Sequence, residues 1–291
     1  MPDLSEYYQP QSLTAALELL AKSDGKLRPL AGGTDIVPAM GKGELKADGL
    51  VDLSKLPDIR RISIDGSEVK IGSLTTFTQI ETSPLIQAKA SLLADAAAAV
   101  GSPQIRNSGT IGGNIANASP AADTVTALVT LDAEATLESI KGSRRVLVSE
   151  LLCGAGKTNI LPQEIITEIT FRIPPTGSKT GFIKLGRRKA LAIARMNLAI
   201  IVTLDEGKIS IARVGLGAVG PNPRRYPVLE NSLIGQTPSD SLIEGFAIEA
   251  ELEVTRVLGS RPSAVYKCEA VKGIARDLLR KLFSESGQGV V

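Results

Sequence analysis

The sequence predicts an α+β protein built in two parts that divide near residue 175. Its 291 residues are enough for about two ordinary domains. Helical and strand patterns alternate before that point, whereas strands come first and helices follow after it. Between the two parts lies the run Pro174-Pro175-Thr176-Gly177-Ser178, the strongest linker signal in the chain.

The first part opens with a small βαβ-like unit over roughly the first 50 residues. Its helix is predicted from apolar residues that share one helical face, at Leu13, Ala16, Leu17 and Leu20. The short apolar stretch 27–30 then enters a glycine loop. A helical turn and a strand around 50–53 follow.

The remainder of the first part predicts a second set of helices and strands. After a strand at 69–72, the residues from Phe77 to Val100 form one continuous helical pattern. The segment 108–114 holds glycines too dense for the interior of a helix, so it predicts a loop. A helix at 121–131 and strands at 135–138, 145–148 and 164–173 complete this part.

The second part predicts a three-stranded antiparallel sheet followed by two helices. Asp205-Glu206-Gly207-Lys208 predicts a four-residue hairpin loop between the second and third strands. The strands are expected at 182–185, 198–204 and 208–214, and the helices at 239–258 and 263–283.

The composition excludes several classes of function. Lys plus Arg total 33 and Asp plus Glu total 31, so no strong basic field exists for a nucleic-acid backbone. With no His, the chain has no imidazole for a metal site, a catalytic triad or acid–base chemistry. Cys153 and Cys268 are too few for an iron–sulfur cluster, and we interpret them as small apolar fillers. Demanding chemistry must therefore come from a cofactor, from carboxylates and lysines, or from a partner chain.

The sequence shows no targeting or membrane-spanning signal. Residues from Met1 to Glu6 have neither the basic segment nor the apolar segment of a secretory signal. No window reaches the roughly 18 uncharged apolar residues that predict a transmembrane helix. Because two cysteines without a disulfide framework fit a reducing compartment, we expect a cytoplasmic protein.

Two glycine loops carry the candidate binding chemistry. One runs from Ala31 to Asp35 and the other from Thr110 to Asn114, and each has paired glycines beside a hydroxyl. Paired glycines let the backbone approach another group closely, and consecutive backbone N–H groups can cradle an anion. Two such loops could hold the two phosphates of a dinucleotide from opposite sides. The alternative is a pair of tight turns that need positive φ.

The segment Gly215-Leu216-Gly217-Ala218-Val219-Gly220 fits G-x-G-x-x-G but does not predict a Rossmann site. That motif needs a helix directly after its glycines. Pro221, Pro223 and Pro227 follow instead, and prolines at this density prevent such a helix. We interpret the segment as a glycine-rich strand that passes close to another backbone.

Three segments together resemble one protein family. They are Ala31 to Asp35 (AGGTD), the fourteen-residue run from Thr110 to Asp123 (TIGGNIANASPAAD), and Phe182 to Arg188 (FIKLGRR). These segments are similar to motifs of the FAD-binding (medium) subunit of molybdenum hydroxylases. That family includes the flavin subunits of xanthine dehydrogenase and aerobic carbon monoxide dehydrogenase. The resemblance covers essentially the whole chain, in order, and the second segment is its most specific part.

The resemblance implies a PCMH/vanillyl-alcohol-oxidase-type FAD-binding domain over residues 1–175, with subdomains 1–56 and 57–175 that clasp FAD. It also implies a C-terminal flavoprotein domain over 179–286, in which an antiparallel sheet packs with a helical bundle. Arg187 and Arg188 are expected at the surface or facing a partner. Arg195 stands where the family leads us to expect an apolar residue.

The resemblance further assigns cofactor-binding residues. Asn117 and Asp123 match nucleotide contacts, Ile166 matches an apolar contact to the adenine or ribose side, and a lysine beside the isoalloxazine corresponds to Lys184. From the sequence alone, Asp123 could instead complement the helix dipole, and Lys184 could be a solvated strand residue or tune the flavin. The implied FAD contacts at the two loops are Leu30, Ala31, Gly32, Gly33, Thr34, Asp35, Thr110, Ile111, Gly112, Gly113 and Asn114.

The implied function is electron transfer within a heterotrimeric oxidoreductase. In the family, a large subunit oxidises substrate at a molybdenum cofactor, and a small subunit carries [2Fe–2S] clusters. The FAD subunit then passes electrons to an acceptor such as NAD⁺, a quinone or O₂. Such a chain needs no catalytic side chain, metal site or nucleic acid. A self-contained FAD-dependent oxidase or dehydrogenase of the same fold and a non-redox nucleotide-binding scaffold subunit are the alternatives. The substrate, the acceptor and the oligomeric state are not encoded in a readable motif.

Overall fold

A computed structural model of the chain describes residues 5–188 and 191–284. Its strands are β1 (Glu6–Tyr8), β2 (Leu27–Leu30), β3 (Gly49–Asp52), β4 (Ile62–Asp65), β5 (Glu68–Gly72), β6 (Glu134–Ser139), β7 (Gly142–Leu147), β8 (Leu152–Gly154), β9 (Lys157–Thr158), β10 (Ile165–Arg172), β11 (Lys179–Leu185), β12 (Met196–Asp205), β13 (Lys208–Gly217) and β14 (Arg224–Arg225). Its helices are α1 (Leu13–Lys22), α2 (Ile36–Gly41), α3 (Phe77–Thr82), α4 (Pro84–Lys89), α5 (Ser91–Ala98), α6 (Pro103–Ser108), α7 (Ile111–Asn117), α8 (Asp123–Thr130), α9 (Val148–Leu151), α10 (Pro227–Leu233), α11 (Asp240–Leu258) and α12 (Ala264–Ser284).

The described residues separate into two compact units that are interleaved along the chain. The first unit comprises residues 5–80, 102–119 and 132–172. The second comprises 81–101, 120–131, 173–188 and 191–284. Two segments that precede the linker at 174–178 therefore fold with the C-terminal sheet.

The first unit contains two larger sheets and a two-stranded one formed by β8 and β9. The parallel sheet has the order β1-β3-β2, which confirms the βαβ-like unit. The antiparallel sheet has the order β4-β5-β10-β6-β7. The predicted face of α1 is buried, and Ser12 caps this helix by accepting from the N–H of Ala15 at 3.2 Å. Leu17 and Leu20 pack in a core with Val51 and Leu74.

The helical pattern from Phe77 to Val100 is divided into three helices, so the prediction of one helix is wrong. Pro84 has no N–H with which to continue α3, and the preceding Ser83 is extended and caps α4. Ala90, at φ −154° and ψ 58°, ends α4. The apolar periodicity continues through both breaks because buried residues recur on either side of them.

The second unit is built on an antiparallel sheet of order β11-β12-β13-β14. The three predicted strands are confirmed, but the two-residue strand β14 makes the sheet four-stranded. The helix α10 was not predicted from sequence, and it begins at Pro227, where a missing N–H costs nothing. Both long C-terminal helices are confirmed and pack into one core with the sheet, including Leu198, Phe246 and Leu278.

The hairpin between β12 and β13 turns on two residues. Asp205 and Lys208 pair across the strands, which leaves only Glu206 and Gly207 in the turn. Their φ angles of +46° and +78° are typical of a type I′ turn, whose twist matches that of the flanking strands. The prediction of a four-residue loop is therefore wrong.

The glycine-rich end of β13 packs closely against α8 and β12. A Cβ on Gly215 would overlap Thr130 Oγ1, and one on Gly217 would overlap Asn197 Oδ1 and Thr126 Oγ1. The strand is closely packed as predicted, but its nearest neighbours are side-chain oxygens, and the expected backbone approach is limited to Thr126 O, 3.3 Å from the Cβ position of Gly215. No helix within the described ranges has both the length and the apolar character needed to cross a membrane.

Candidate functional site

The two glycine segments predicted from sequence lie side by side in the first unit. A Cβ on Gly32 would lie 2.7 Å from the carbonyl carbon of Ser108 and closer still to its oxygen. A Cβ on Gly113 would lie 4.0 Å from Ala31 Cβ. Asn117 Nδ2 donates to Asp35 Oδ1 at 2.9 Å, a second link between the segments. The fold therefore brings together the residues that the sequence singled out as a pair.

The first segment connects the end of β2 to the start of α2 and has unused backbone donors. Gly33 has a φ of +72°, the left-handed region that glycine adopts without strain. Among the hydrogen bonds of the described residues, the backbone N–H groups of Gly32, Gly33 and Thr34 have no acceptor. Three consecutive donors of this kind are available to an anion.

The second segment is the start of a helix, not a loop. Gly112 and Gly113 lie in the first turn of α7, and Thr110 caps it by accepting from the N–H of Gly113 at 3.1 Å. A Cβ on Gly112 would lie 2.6 Å from Ser73 Cβ, so tertiary packing requires glycine there. The loop prediction is wrong for 111–114, where this packing and the cap offset the low helix propensity of glycine, whereas Gly109 and Thr110 do lie outside the helices.

The backbone donors of the second segment are used within the chain. The N–H of Ile111 donates to Thr75 O at 3.0 Å, and that of Gly112 donates to Ser73 O at 2.9 Å. The interpretation of both segments as matched anion cradles is therefore wrong for the second. In this segment, the groups that remain for contact with a ligand are the side chains of residues such as Thr110 and Asn114.

The segment 73–76, which was not predicted from sequence to belong to the site, joins the site to the antiparallel sheet. Ser73 N donates to Thr167 O at 3.0 Å, and Thr76 forms an isolated bridge with Thr110. Thr75 Oγ1 is buried and has no partner among the described residues. Two adjacent threonines, Thr75 and Thr76, shortly beyond the end of β5 are the signal that marks this segment in the sequence.

Two apolar residues predicted to contact the cofactor lie in the strands of the first unit. Leu30 is the last residue of β2, and its carbonyl oxygen accepts from Leu53 N at 2.9 Å. Ile166 is buried in β10 opposite Leu137, next to an irregularity in the ladder. Both side chains lie in the first unit with the glycine segments.

Asp123 and Lys184 form a buried ion pair in the second unit. Lys184 Nζ lies 2.6 Å from Asp123 Oδ2 and donates to the carbonyl oxygen of Ala99 at 2.7 Å. The side chain of Lys184 is only 13% exposed and that of Asp123 only 5%. The alternative of a solvated strand lysine is therefore wrong. Helices α5 and α8 pack near this part of the sheet and cover the lysine. The alternation of residues in a strand does not show which elements cover its face.

Asn197 completes this cluster and was missed in the sequence. Its Nδ2 donates to Asp123 Oδ1 at 2.8 Å, and its Oδ1 accepts from Thr126 Oγ1 at 2.8 Å. Burial raises the pKa of Asp123 above its ordinary value, although Lys184 and Asn197 both act to lower it. An asparagine within the apolar run 196–202 is the signal that could have identified it.

The remaining singled-out residues lie outside these clusters. Arg187 and Arg188 are exposed, as expected, and Arg195 is half-buried. Cys153 is exposed, so its interpretation as an apolar filler is wrong, whereas Cys268 packs against the core of the second unit. Among the residues that the structure describes, no group of three or more Cys, Asp or Glu is placed to hold a metal.

The donors in these two clusters fit the chemistry of FAD, each cluster by itself. Neutral backbone N–H groups beside Gly32 suit a diphosphate without requiring surface lysines. Lys184 has three N–H donors and two acceptors within the described part of the chain, so one donor remains for a ligand. Asp123 adds a buried carboxylate that can accept a hydrogen bond.

Comparison with known proteins identifies relatives over nearly the whole chain. Residues 3–175 match the family described as the FAD binding domain in molybdopterin dehydrogenase, and 182–283 match the CO dehydrogenase flavoprotein C-terminal domain. The nicotinate dehydrogenase FAD-subunit of Eubacterium barkeri is 36% identical over 94% of each chain. The carbon monoxide dehydrogenase medium chain of Afipia carboxidovorans is 34% identical over 92% of each chain.

The fold is similar to that of solved carbon monoxide dehydrogenases. The reconstituted CO dehydrogenase of Oligotropha carboxidovorans contains a chain that superposes with a TM-score of 0.90 and 30% identity, over 97% of this chain and 98% of that one. The predicted α+β class, with a flavin-binding domain and a C-terminal domain, is confirmed by this similarity.

Proposed function

Because the chain belongs to the family of FAD-binding subunits of molybdopterin dehydrogenases, we propose that it relays electrons within a molybdenum hydroxylase complex. It takes them from [2Fe–2S] clusters of a small partner subunit and delivers them to an external acceptor such as NAD⁺, a quinone or O₂. The observation that carries this proposal is the match over 3–175, in which three free backbone N–H donors lie beside the second glycine segment.

We propose that the two glycine segments bind the pyrophosphate of FAD. Gly32, Gly33 and Thr34 donate from the backbone, while Thr110 and Asn114 contribute side chains. Asn117 stabilises the pairing through Asp35 and contacts the nucleotide. The full set of proposed loop contacts is Leu30, Ala31, Gly32, Gly33, Thr34, Asp35, Thr110, Ile111, Gly112, Gly113 and Asn114.

We further propose that Lys184 lies beside the isoalloxazine, with Asp123 as its partner and nucleotide contact, and that Ile166 contacts the adenine or ribose side. Bound FAD supplies the two-electron chemistry that this sequence lacks. The ammonium of Lys184 stabilises negative charge near it, and Asp123 keeps that ammonium in place. No nucleophile or general base from this chain is required.

We propose an FAD-binding domain over 1–175, with subdomains 1–56 and 57–175, and a C-terminal flavoprotein domain over 179–286. The two matched ranges, 3–175 and 182–283, support this division. We also propose a cytoplasmic location, on the basis of two cysteines that are both free thiols.

The relatives' names support the proposed partners. They are described as the FAD-subunit of nicotinate dehydrogenase and the medium chain of carbon monoxide dehydrogenase, terms that belong to multi-subunit enzymes. We propose a large subunit with a molybdenum cofactor and a small [2Fe–2S] subunit as partners of this chain. The substrate is then chosen by the large subunit.

The first experiment identifies the cofactor. The purified full-length chain is expected to be yellow, and heat-released cofactor is expected to co-elute with FAD in chromatography. A colourless chain that takes up no added FAD would favour the non-redox scaffold. Release of a different nucleotide would contradict the proposed cofactor.

The second experiment separates electron relay from a self-contained enzyme. Affinity purification of the tagged chain from its native cells is expected to recover a large and a small subunit, identified by mass spectrometry and metal analysis. Substrate of that complex should bleach the flavin absorbance only when both partners are present. Bleaching by substrate with the chain alone would support a self-contained oxidase or dehydrogenase instead.

A further inference from the structure

We propose that Asn197 is a positioning residue, whose side-chain amide orients the Asp123 carboxylate and through it directs the ammonium of Lys184 toward FAD. The inference rests on the proposed function because it presupposes FAD beside Lys184. Asn197 lies opposite Lys184 in the pairing of β11 and β12, but among the hydrogen bonds of the described residues its side chain bonds Asp123 and Thr126 and not the lysine. Its effect passes through Asp123.

The orientation of the amide is determined by its two partners. An ionised carboxylate can only accept hydrogen bonds, so the NH₂ group of Asn197 must face Asp123 Oδ1, at 2.8 Å. The amide oxygen then faces Thr126 Oγ1, also at 2.8 Å, and the threonine hydroxyl donates. Asn197 is fully buried, so water cannot replace either bond.

A glycine on the neighbouring strand provides the space for this amide. Asn197 lies opposite Gly217 in the pairing of β12 and β13. A Cβ on Gly217 would overlap Asn197 Oδ1 and lie 3.1 Å from its Cγ. Gly217 belongs to the G-x-G-x-x-G segment, whose second glycine therefore serves the Asp123 cluster and not a Rossmann turn.

The two oxygens of Asp123 are held separately. Asn197 occupies Oδ1 and Lys184 occupies Oδ2, so rotation of the carboxylate would break one bond or the other. Lys184 is also tied to the carbonyl of Ala99, which leaves one N–H donor without an acceptor in the described part of the chain. The amide thus limits where that last donor can be directed.

Lys184 is the cation that acts on Asp123 among the described residues. The other charged groups on elements packed against α8 bind other partners. Helix α5 contributes Asp95, which lies 4.0 Å from Lys281, and β13 contributes Arg213, which donates to Leu131 O at the far end of α8. Strand β14 contributes Arg224, stacked over Tyr226, and Arg225, paired with Glu230. A pH dependence that involves Asp123 therefore reports on Lys184 and Asn197.

The test compares FAD binding by the deflavinated full-length chain and two variants, measured by quenching of FAD fluorescence from mildly acidic to neutral pH. Asn197→Leu keeps the side-chain size but removes the donor, and about tenfold weaker binding is expected at every pH. Asn197→Asp keeps the shape, and at mildly acidic pH one proton shared with Asp123 restores a donor. Its affinity should approach that of the unaltered chain there and fall about tenfold as the pH rises and the proton is lost.

Thr203→Val is the matched control, because Thr203 is a buried hydroxyl residue on the same strand that bonds Ser178 and not Asp123. Its binding and pH profile should match those of the unaltered chain. A loss that is equal in both Asn197 variants and independent of pH would indicate a merely structural role and overturn the assignment, as would unchanged binding in both. If the unaltered chain does not quench FAD fluorescence, the proposed function itself fails. This outcome is read from the unaltered sample and is therefore distinct from a difference between the variants.

Discussion

The position that a Cβ on Gly32 would occupy lies 2.7 Å from the carbonyl carbon of Ser108. Real Cβ atoms do not approach a backbone carbonyl this closely, so only glycine permits the contact. The contact places three free N–H donors of the first segment against the segment that leads into α7. Gly32 therefore joins the two halves of the proposed pyrophosphate site.

Replacing Gly32 with alanine should separate these segments. We expect Gly32→Ala to lower the free energy of unfolding by about 1–3 kcal/mol through overpacking and to reduce FAD occupancy. Gly41→Ala is the matched control, because Gly41 ends α2 with open space around its Cβ position and should be neutral or slightly stabilising. Flavin absorbance per chain and thermal unfolding measure both effects. Full occupancy in Gly32→Ala would refute the role of this contact.

Thr75→Val should stabilise the chain. The hydroxyl of Thr75 is buried without a partner among the described residues, and valine has the same shape without the stranded polar atom. A gain of about 1 kcal/mol is expected in chemical denaturation, with FAD occupancy unchanged. Loss of FAD from this variant would instead assign the hydroxyl to the cofactor.

Lys184→Met should be strongly destabilising because it leaves the Asp123 carboxylate buried and unpaired. Breaking a buried pair from one side costs about 3–5 kcal/mol. The cost should shrink at low pH, because burial raises the pKa of Asp123 and the protonated carboxyl is tolerated in the core. Protonation of Asp123 stabilises the folded chain fully below about pH 3.9, the ordinary pKa of an aspartate. This contribution is lost as the pH rises through the raised pKa of Asp123.

The control for this substitution is Lys70→Met, which breaks the pair with Asp65. This pair lies on the surface of β4 and β5, where solvent screening leaves ion pairs with little net effect. Thermal unfolding midpoints of both variants should be compared across pH. Equal losses would show that the burial of Lys184 has no energetic consequence.

Glu164→Gln should reduce the loss of folding stability that the first unit undergoes as the pH falls. Hydrogen bonds from Arg144 lower the pKa of Glu164, against the opposing effect of burial, and the N–H of Leu161 adds to the lowering. A lowered pKa means stabilisation that is present above the ordinary value of about 4.3 and lost as the pH falls through the native pKa.

At neutral pH we expect Glu164→Gln to cost about 1 kcal/mol, a modest value because Arg144 is partly exposed and solvent screens the pair. The difference from the unaltered chain should vanish in acid. Glu18→Gln is the control, because its exposed pair with Lys22 is screened by solvent and its loss should change stability little. Denaturation curves of Glu164→Gln and the unaltered chain that stay parallel down to acidic pH would contradict the prediction.

Local sequence signals were sufficient for most of the secondary structure. The apolar face from Leu13 to Leu20 and the apolar periodicity beyond 239 predict helices that the structure confirms, with Ser12 and Ser239 as observed caps. The prolines at 221–227 correctly excluded a Rossmann helix after the glycines. The breaks at Pro84 and Ala90 were missed because buried residues on either side of them keep the same spacing.

The sequence by itself determined the α+β class and the two-part order of elements and, through its resemblance to a family, the choice of Gly32, Gly113, Asp123 and Lys184 as candidate site residues. Only the tertiary structure decided that Gly112 and Gly113 lie within a helix, that Lys184 is buried against Asp123, and that Asn197 donates a hydrogen bond to Asp123. The physical reason is that periodicity and caps depend on neighbours a few residues apart. Burial and hydrogen bonding of these side chains depend on segments that are distant along the chain and meet only when it folds.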